Sequence, residues 1–287
     1  MKLIVSSPLP TEPVSSAPAR SRTRTSLMFA AFWHTFRRDV MVTFREFVPF
    51  LVQVLVQPVS LLLVFGRVLP GMGTMQQLYP SSFLPAVIAL TIFIASLLGI
   101  TLTLMLDLDY GREIDDRLLA PMPVSLVAVE KVVFSAFRSL IAGGIIFLLA
   151  HWILGSGYQV RGDSVPLLIA VMVLYALSSA ALGLVIGAAL PTDKIYMLFS
   201  LILSATIYTG CVYYTWNSLN SFKAFQIITL FNPLTYAAEG LRDAMIPYTN
   251  GQAFVTLPIV WALVGLGASF IICMTIGIKV FLKRVIS

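Results

Sequence analysis

Three groups of residues in this chain have types and spacings that could do chemistry. The first is the run FNPLTYAAEGLR, Phe231 to Arg242. Asn232 before Pro233 is a helix start, because an Asn side chain can accept from an early helical N–H and Pro loses nothing at the first helical position. Leu234, Ala237, Ala238, Leu241 and Met245 then fall on one apolar face. Glu239 and Arg242 are spaced i, i+3 and can pair. The second group spans 107–123. It holds Asp107, Asp109, Glu113, Asp115 and Asp116 with Arg112 and Arg117, followed by Leu118 and Leu119 and closed by Pro121 and Pro123. A short helix over 110–119 would carry charge on one side and Ile114 and Leu118 on the other. Two readings fit it equally: a solvated loop, and an element that inserts into a groove on a soluble partner. The third group is Lys131 and Arg138, seven residues apart and therefore on one helical face. They could attract an anionic headgroup, although snorkelling toward lipid headgroups is the commoner use of such cations.

None of this is bond-making chemistry. The sequence contains no Gly-Lys pair, hence no phosphate-cradling G-x-x-x-x-G-K-[ST] loop, and no H-E-x-x-H. His34 and His151 are isolated, and Cys211 and Cys273 sit inside apolar runs, where a cysteine reads as a small buried hydrophobe. No catalytic, cofactor or metal residues are expected. Carboxylates are missing from the middle of every apolar run, whereas ion-coupled carriers keep ionisable groups there. Energy for uphill movement would have to enter through a partner.

The elements that position these residues follow from composition. Of 287 residues, 58% are apolar and 11% charged, and mean hydropathy is +0.91. Soluble domains carry about 25% charged residues, so lipid must be the main solvent. The net charge of +6 comes from cations that flank apolar runs, not from a basic stripe, which argues against a nucleic-acid partner. The runs place six membrane-spanning helices at about 47–66, 83–105, 133–154, 166–190, 195–216 and 256–280, each long enough for a ~30 Å core. Pro58 falls inside the first and should kink it. With the N-terminus inside, only Arg67, Arg161, Lys223 and Arg242 of the 19 Lys and Arg fall outside. That bias puts both termini in the cytoplasm.

Residues 1–25 are rich in Ser, Pro and Arg and read as a disordered cytoplasmic tail. In 26–46, Phe29, Phe32, Trp33, Phe36, Val40 and Phe44 recur at helical steps, with Arg37, Arg38 and Arg45 mostly off that stripe. This predicts an amphipathic helix, lying in the inner interface or packed on a partner. Residues 47–287 would form the transmembrane domain. Between spans five and six, 217–253 is too apolar for a surface loop and suggests a helical hairpin dipping back into the outer leaflet.

The loop EIDDRLLAPMPVS with Glu130-Lys131 after it, the FNPLTYAAEGLR run and the six-span order together resemble the membrane (permease) subunit of ABC-2 type ABC transporters. Within that family the likeness is to the drug-efflux and nodulation-type lipo-oligosaccharide exporters. The resemblance covers about 26–287, and NPLTYxxExLR is its most specific part. It implies that 26–46 is a connecting helix and that 110–119 is the coupling helix docking on a separate ATPase, with Arg112, Glu113, Ile114, Asp115, Asp116, Arg117, Leu118 and Leu119 at the contact. It implies that 219–245 are re-entrant helices carrying Asn232, Pro233, Leu234, Tyr236, Glu239 and Arg242. The implied assembly is two ATPase subunits, which would hold ATP and Mg, and a second membrane subunit, identical or closely related, in a bacterial inner membrane. Phe199, Tyr208, Tyr213, Tyr214 and Trp216 could line an amphiphile's path or form belt and packing residues. A polysaccharide or lipid-linked glycan permease shares this architecture. A secondary carrier or membrane-embedded enzyme would need polar groups converging on a site, and no such set stands out.

Overall fold

The computed structural model describes residues 32–33, 35–41, 47–73, 79–105, 123–155, 161–191, 195–247 and 256–286. Among these residues all regular structure is helical. The helices are α1 (Phe47–Leu63), α2 (Tyr79–Met105), α3 (Val124–Leu154), α4 (Val165–Ala189), α5 (Ile195–Thr209), α6 (Lys223–Thr229), α7 (Pro233–Met245) and α8 (Ile259–Ile286). Residues 32–33 and 35–41 of the expected interfacial helix are also helical. The expected coupling segment, including Arg112 to Leu119, lies outside the described residues, as do 1–25.

The bundle is organised around α2. Every residue from Phe83 to Leu97 is buried, which suits a helix that is apolar all round. Helices α3, α4 and α7 pack around it, and α8 packs mainly on α4. The peripheral helices instead show apolar side chains on their outer faces. Val48, Val52 and Val56 of α1 recur every four residues and are exposed, as are Val260, Trp261, Val264, Ile271 and Ile272 of α8. Stripes this apolar are compatible only with lipid or another protein surface.

Among the described residues, five helices are long and apolar enough to cross a membrane: Phe47–Gly71, Ser82–Leu104, Val124–Leu154, Gly162–Ala189 and Ile259–Val285. The helix of the sequence-predicted fifth span is shorter than expected. Helix α5 has 15 residues, roughly 22 Å at ~1.5 Å per residue, against a ~30 Å apolar core. It stops because Gly210 lies against Leu234, where a Cβ would come within 2.5 Å of Leu234 Cδ2, and because Cys211 takes φ 52°, a left-handed conformation that ends a helix. Helix α1 stays helical through Pro58. Its π-helical turn comes later, at Val64–Val68, and Leu69–Gly71 continues it. Helix α3 starts at Val124, nine residues before the predicted span, and α8 runs on to Ile286, taking in Lys279, Lys283 and Arg284.

Without a hydrophobic driving force between helices in lipid, association depends on close packing and interhelical hydrogen bonds. Both occur on α2 and α4. Gly183 of α4 sits so close to Ile100 and the Leu97 backbone that a Cβ would collide with Ile100. Ser135 Oγ of α3 donates to Ser96 O of α2 (2.9 Å), and Ser178 Oγ of α4 to Ser269 Oγ of α8 (3.0 Å). Replacing Gly183 with Val should therefore cost about 1–3 kcal/mol by overpacking. Gly144, with nothing within 4 Å of a built Cβ, should accept Val. Thermal unfolding of the detergent-purified variants reads the difference.

Candidate functional site

The FNPLTYAAEGLR run builds the most polar interior in the bundle. Asn232 caps α7, its Oδ1 accepting from Leu234 N at 2.9 Å, with Pro233 in the first turn. The same side chain reaches back to α5, where Nδ2 donates to Thr206 O and Thr209 Oγ1, both at 2.8 Å. Thr235 Oγ1 donates to Thr229 O at 2.7 Å, holding the turn between α6 and α7. Leu234 fills the space that Gly210 leaves, and the Tyr236 ring lies over Gly265 of α8. Capping and small-residue contacts thus lock α7 between α5 and α8.

Glu239 and Arg242 form the centre. Both side chains are buried, at 0% and 2% exposure, and Arg242 Nη1 is 2.7 Å from Glu239 Oε1. Glu239 also accepts from Trp216 N (2.9 Å) and, through Oε2, from Leu257 N (3.2 Å). Arg242 Nε donates to Ser82 O at 2.9 Å, and Nη2 to Cys211 O at 2.7 Å and Val212 O at 3.3 Å. One ion pair therefore ties together the first turns of α2, the turn that ends α5, the Trp216–Ser221 3₁₀ turn and the chain entering α8. The left-handed Cys211 is held by the guanidinium that its carbonyl meets. A clamp beside it joins the 3₁₀ turn to α6: Trp216 Nε1 donates to Gln226 O (3.3 Å) and Gln226 Nε2 to Trp216 O (3.1 Å).

A cavity of about 300 Å³ opens beside this pair, lined by Ser82, Phe83, Tyr213, Tyr214, Ser218 and Arg242 among others. Its aromatic wall is fixed by ring packing. Phe65 of the π-helical turn after α1 lies 5.2 Å from Phe83 and 5.6 Å from Tyr213, centroid to centroid, and Tyr208 lies 6.1 Å from Tyr213. Tyr214 Oη donates to Tyr208 O.

Lys131 and Arg138 occupy the opposite end of the bundle. Lys131 is buried with its Nζ 3.9 Å from Asp39 Oδ2, and the Arg138 guanidinium carbon lies 3.4 Å over the Phe50 ring of α1. Of the sequence-predicted residues, Asn232, Pro233, Leu234, Tyr236, Glu239 and Arg242 are brought together. The partners on Ser82, Cys211, Trp216 and Leu257 were not foreseen, because their contributions are backbone atoms that residue type does not mark. Asp39 was also missed, although an acid directly after Arg37 and Arg38 in an amphipathic segment is a visible signal. No cluster of His, Cys, Asp and Glu suited to a metal occurs among the described residues.

Truncating Glu239 to Ala leaves a buried guanidinium short of its counter-charge and should cost about 3–5 kcal/mol. Glu239→Gln, which keeps an acceptor, should cost less. Arg242→Lys should not substitute, because a point ammonium cannot span Ser82 O, Cys211 O and Glu239 at once. Thermal melts of the three purified variants test the ranking.

Comparison with protein families gives a match to the ABC-2 type transporter family over residues 30–246, from before the 35–41 helical segment through α7. Comparison with curated proteins found no match.

Proposed function

The chain belongs to the ABC-2 type transporter family, and we propose that it is the membrane-spanning permease subunit of an ATP-driven exporter for an amphiphilic drug, lipid or lipo-oligosaccharide. The observation that carries the reading is the family match, which covers most of the chain and takes in both the segment expected to contact an ATPase and the α7 motif. The sequence has no phosphate-binding loop of its own, so ATP and Mg are assigned to two separate ATPase subunits. Residues 110–119, between α2 and α3, are the proposed docking element.

In this reading the chain crosses the membrane six times with both ends cytoplasmic. Helix α5 together with the following turn makes the fifth crossing. Helices α6 and α7 form the outer re-entrant hairpin. Supporting the last point, Phe222, Ile227, Ile228 and Phe231 around α6 are all exposed, an apolar surface that lipid would cover. A second membrane subunit is needed because one subunit supplies half a path. Helix α5 offers a face for it: Met197, Ser200, Leu201, Ser204, Ala205 and Tyr208 are exposed on one side, and small residues at four-residue spacing let membrane helices approach closely. The aromatic cavity beside Arg242 is the proposed last station of the cargo. An anionic headgroup at Lys131 and Arg138 would have to compete with Asp39 and Phe50, so the cavity is the better place for the apolar body.

The test is reconstitution. The chain co-expressed with the ATPase from an adjacent reading frame should co-purify with it and support ATP-dependent efflux of a fluorescent amphiphile from proteoliposomes. A chain that transports alone, without ATP, sinks the reading. Reversing the charges at Asp116 and Arg117 should abolish export while leaving the partner's basal ATPase. Export and cargo-stimulated hydrolysis that both survive in an intact complex would remove the coupling role from that segment.

A further inference from the structure

The segment 35–41 lies against the first half of α3, and the contact has two parts. Phe36 meets Phe134 edge-on at 5.8 Å between ring centroids and Phe137 at 6.2 Å. One turn further along, Asp39 Oδ2 faces Lys131 Nζ at 3.9 Å. Residues 36 and 39 share one face of their helix, as do 131, 134 and 138 of α3, so the two helices meet antiparallel, turn against turn. The paired charges are almost fully withdrawn from solvent, with side-chain exposures of 3% for Lys131 and 10% for Asp39. Arg38 Nε, on an exposed side chain, approaches Asp39 Oδ1 at 3.8 Å. Among the described residues, Glu130, buried beside Lys131, and Arg138, on Phe50 of α1, are further ionisable groups near this contact.

We infer that Asp39 and Lys131 form a positioning latch, with Phe36 wedged against Phe134 and Phe137 beside it, that makes the interfacial segment and the start of α3 move as one body during transport. The inference rests on the reading of the chain as an ATP-driven permease. Helix α3 begins at Val124, directly after the stretch proposed to meet the ATPase, so it receives the motion first. The 35–41 segment precedes α1, whose first turn Arg138 holds through Phe50. A solvent-exposed ion pair would be too weak to transmit displacement. A desolvated one is more costly to part, because both charges are held away from water at the contact. Displacement of α3 is therefore passed to the 35–41 segment and on to α1. Lys131 and Asp39 are not cargo-binding residues in this scheme.

The experiment uses the chain in complex with its ATPase. Asp39→Lys and Lys131→Asp should each lower export per ATP hydrolysed by roughly tenfold, within the usual range for coupling between sites, while hydrolysis persists. The exchanged pair, Asp39→Lys with Lys131→Asp, should recover most of the loss, which a merely structural role for either side chain would not produce. Single reversals that leave export per ATP unchanged, or an exchange no better than the singles in an assembled complex, overturn the latch. An independent reading comes from spin labels on the exposed positions Met41→Cys and Val133→Cys, with Cys273→Ala. In the wild-type background their distance should be the same in nucleotide-free and ATP-trapped complexes, and a shift between the two states overturns the inference. In the purified chain without its ATPase, Asp39→Asn should broaden the distance distribution, and an unchanged distribution counts against the latch even if no transport is found. Loss of all export from the wild-type complex, with the label result intact, instead strikes at the permease reading.

Discussion

The constraint on which this fold turns is the burial of Glu239 and Arg242 in a chain that has few charges to spend. A buried ion pair is seldom better than a well-packed apolar substitute in net stability. What it contributes is position. The guanidinium has a fixed planar fork, and each of its used donors points at a different segment: Ser82 at the start of α2, Cys211 and Val212 after α5, and Glu239 on its own helix. The carboxylate adds the amides of Trp216 and Leu257. Backbone groups of several segments, costly to leave unpaired in an apolar interior, thereby share one pair of side chains. The turn at Cys211, the shortness of α5 and the return of the chain through α6 and α7 are consequences of one another once this pair is in place.

Helix α7 reaches that position because of what its sequence omits. Ala237, Ala238, Gly240 and Ala244 keep it narrow, and all are buried. Gly240 brings it close to Val171 of α4, with a built Cβ only 3.3 Å from Val171 Cγ1. Larger residues would hold the helix away from α2 and α4 and leave Arg242 short of Ser82. The polar pair and the small residues thus depend on each other, and both lie within the thirteen residues of Pro233–Met245.

Much of this was legible in the sequence, and the failures are instructive. The N-cap at Asn232, the pairing of Glu239 with Arg242 and the existence of the long apolar helices follow from local spacing and composition, which is where sequence patterns are strongest. The end of α5 was misjudged by seven residues because counting charge-free positions treats Gly210 and Cys211 as ordinary apolar residues. Only contact with Leu234 and Arg242, more than twenty positions away, makes them a turn. The start of α3 was placed late for the opposite reason. Glu130 and Lys131 interrupt the hydropathy but not the helix, since both are buried within the bundle. Such burial cannot be read from composition. Ser82 and Leu257 contribute only backbone atoms to the site, which carry no residue signature at all.

The two ends of the bundle are consequently held by different physics. At the α7 end, the Glu239–Arg242 pair runs mostly to main-chain carbonyls and amides, so moving one segment breaks hydrogen bonds in several others, and the region behaves as a unit. The opposite end is joined more sparingly. Asp39 meets Lys131, Arg138 rests on Phe50, and Arg284 of α8 donates to Gly187 O and Leu190 O at the end of α4. The first two are side-chain-to-side-chain contacts between pairs of elements, and the third caps a single helix. Ties that each join only two elements leave a latched pair such as α3 and the 35–41 segment able to tilt as one body against the rest of the bundle, whereas the α7 hub holds its segments together. A machine driven from the end where α3 begins would therefore tilt its helices about a fixed point near Arg242. The aromatic cavity beside that point would change shape through the helices that line it, not through failure of the hub itself.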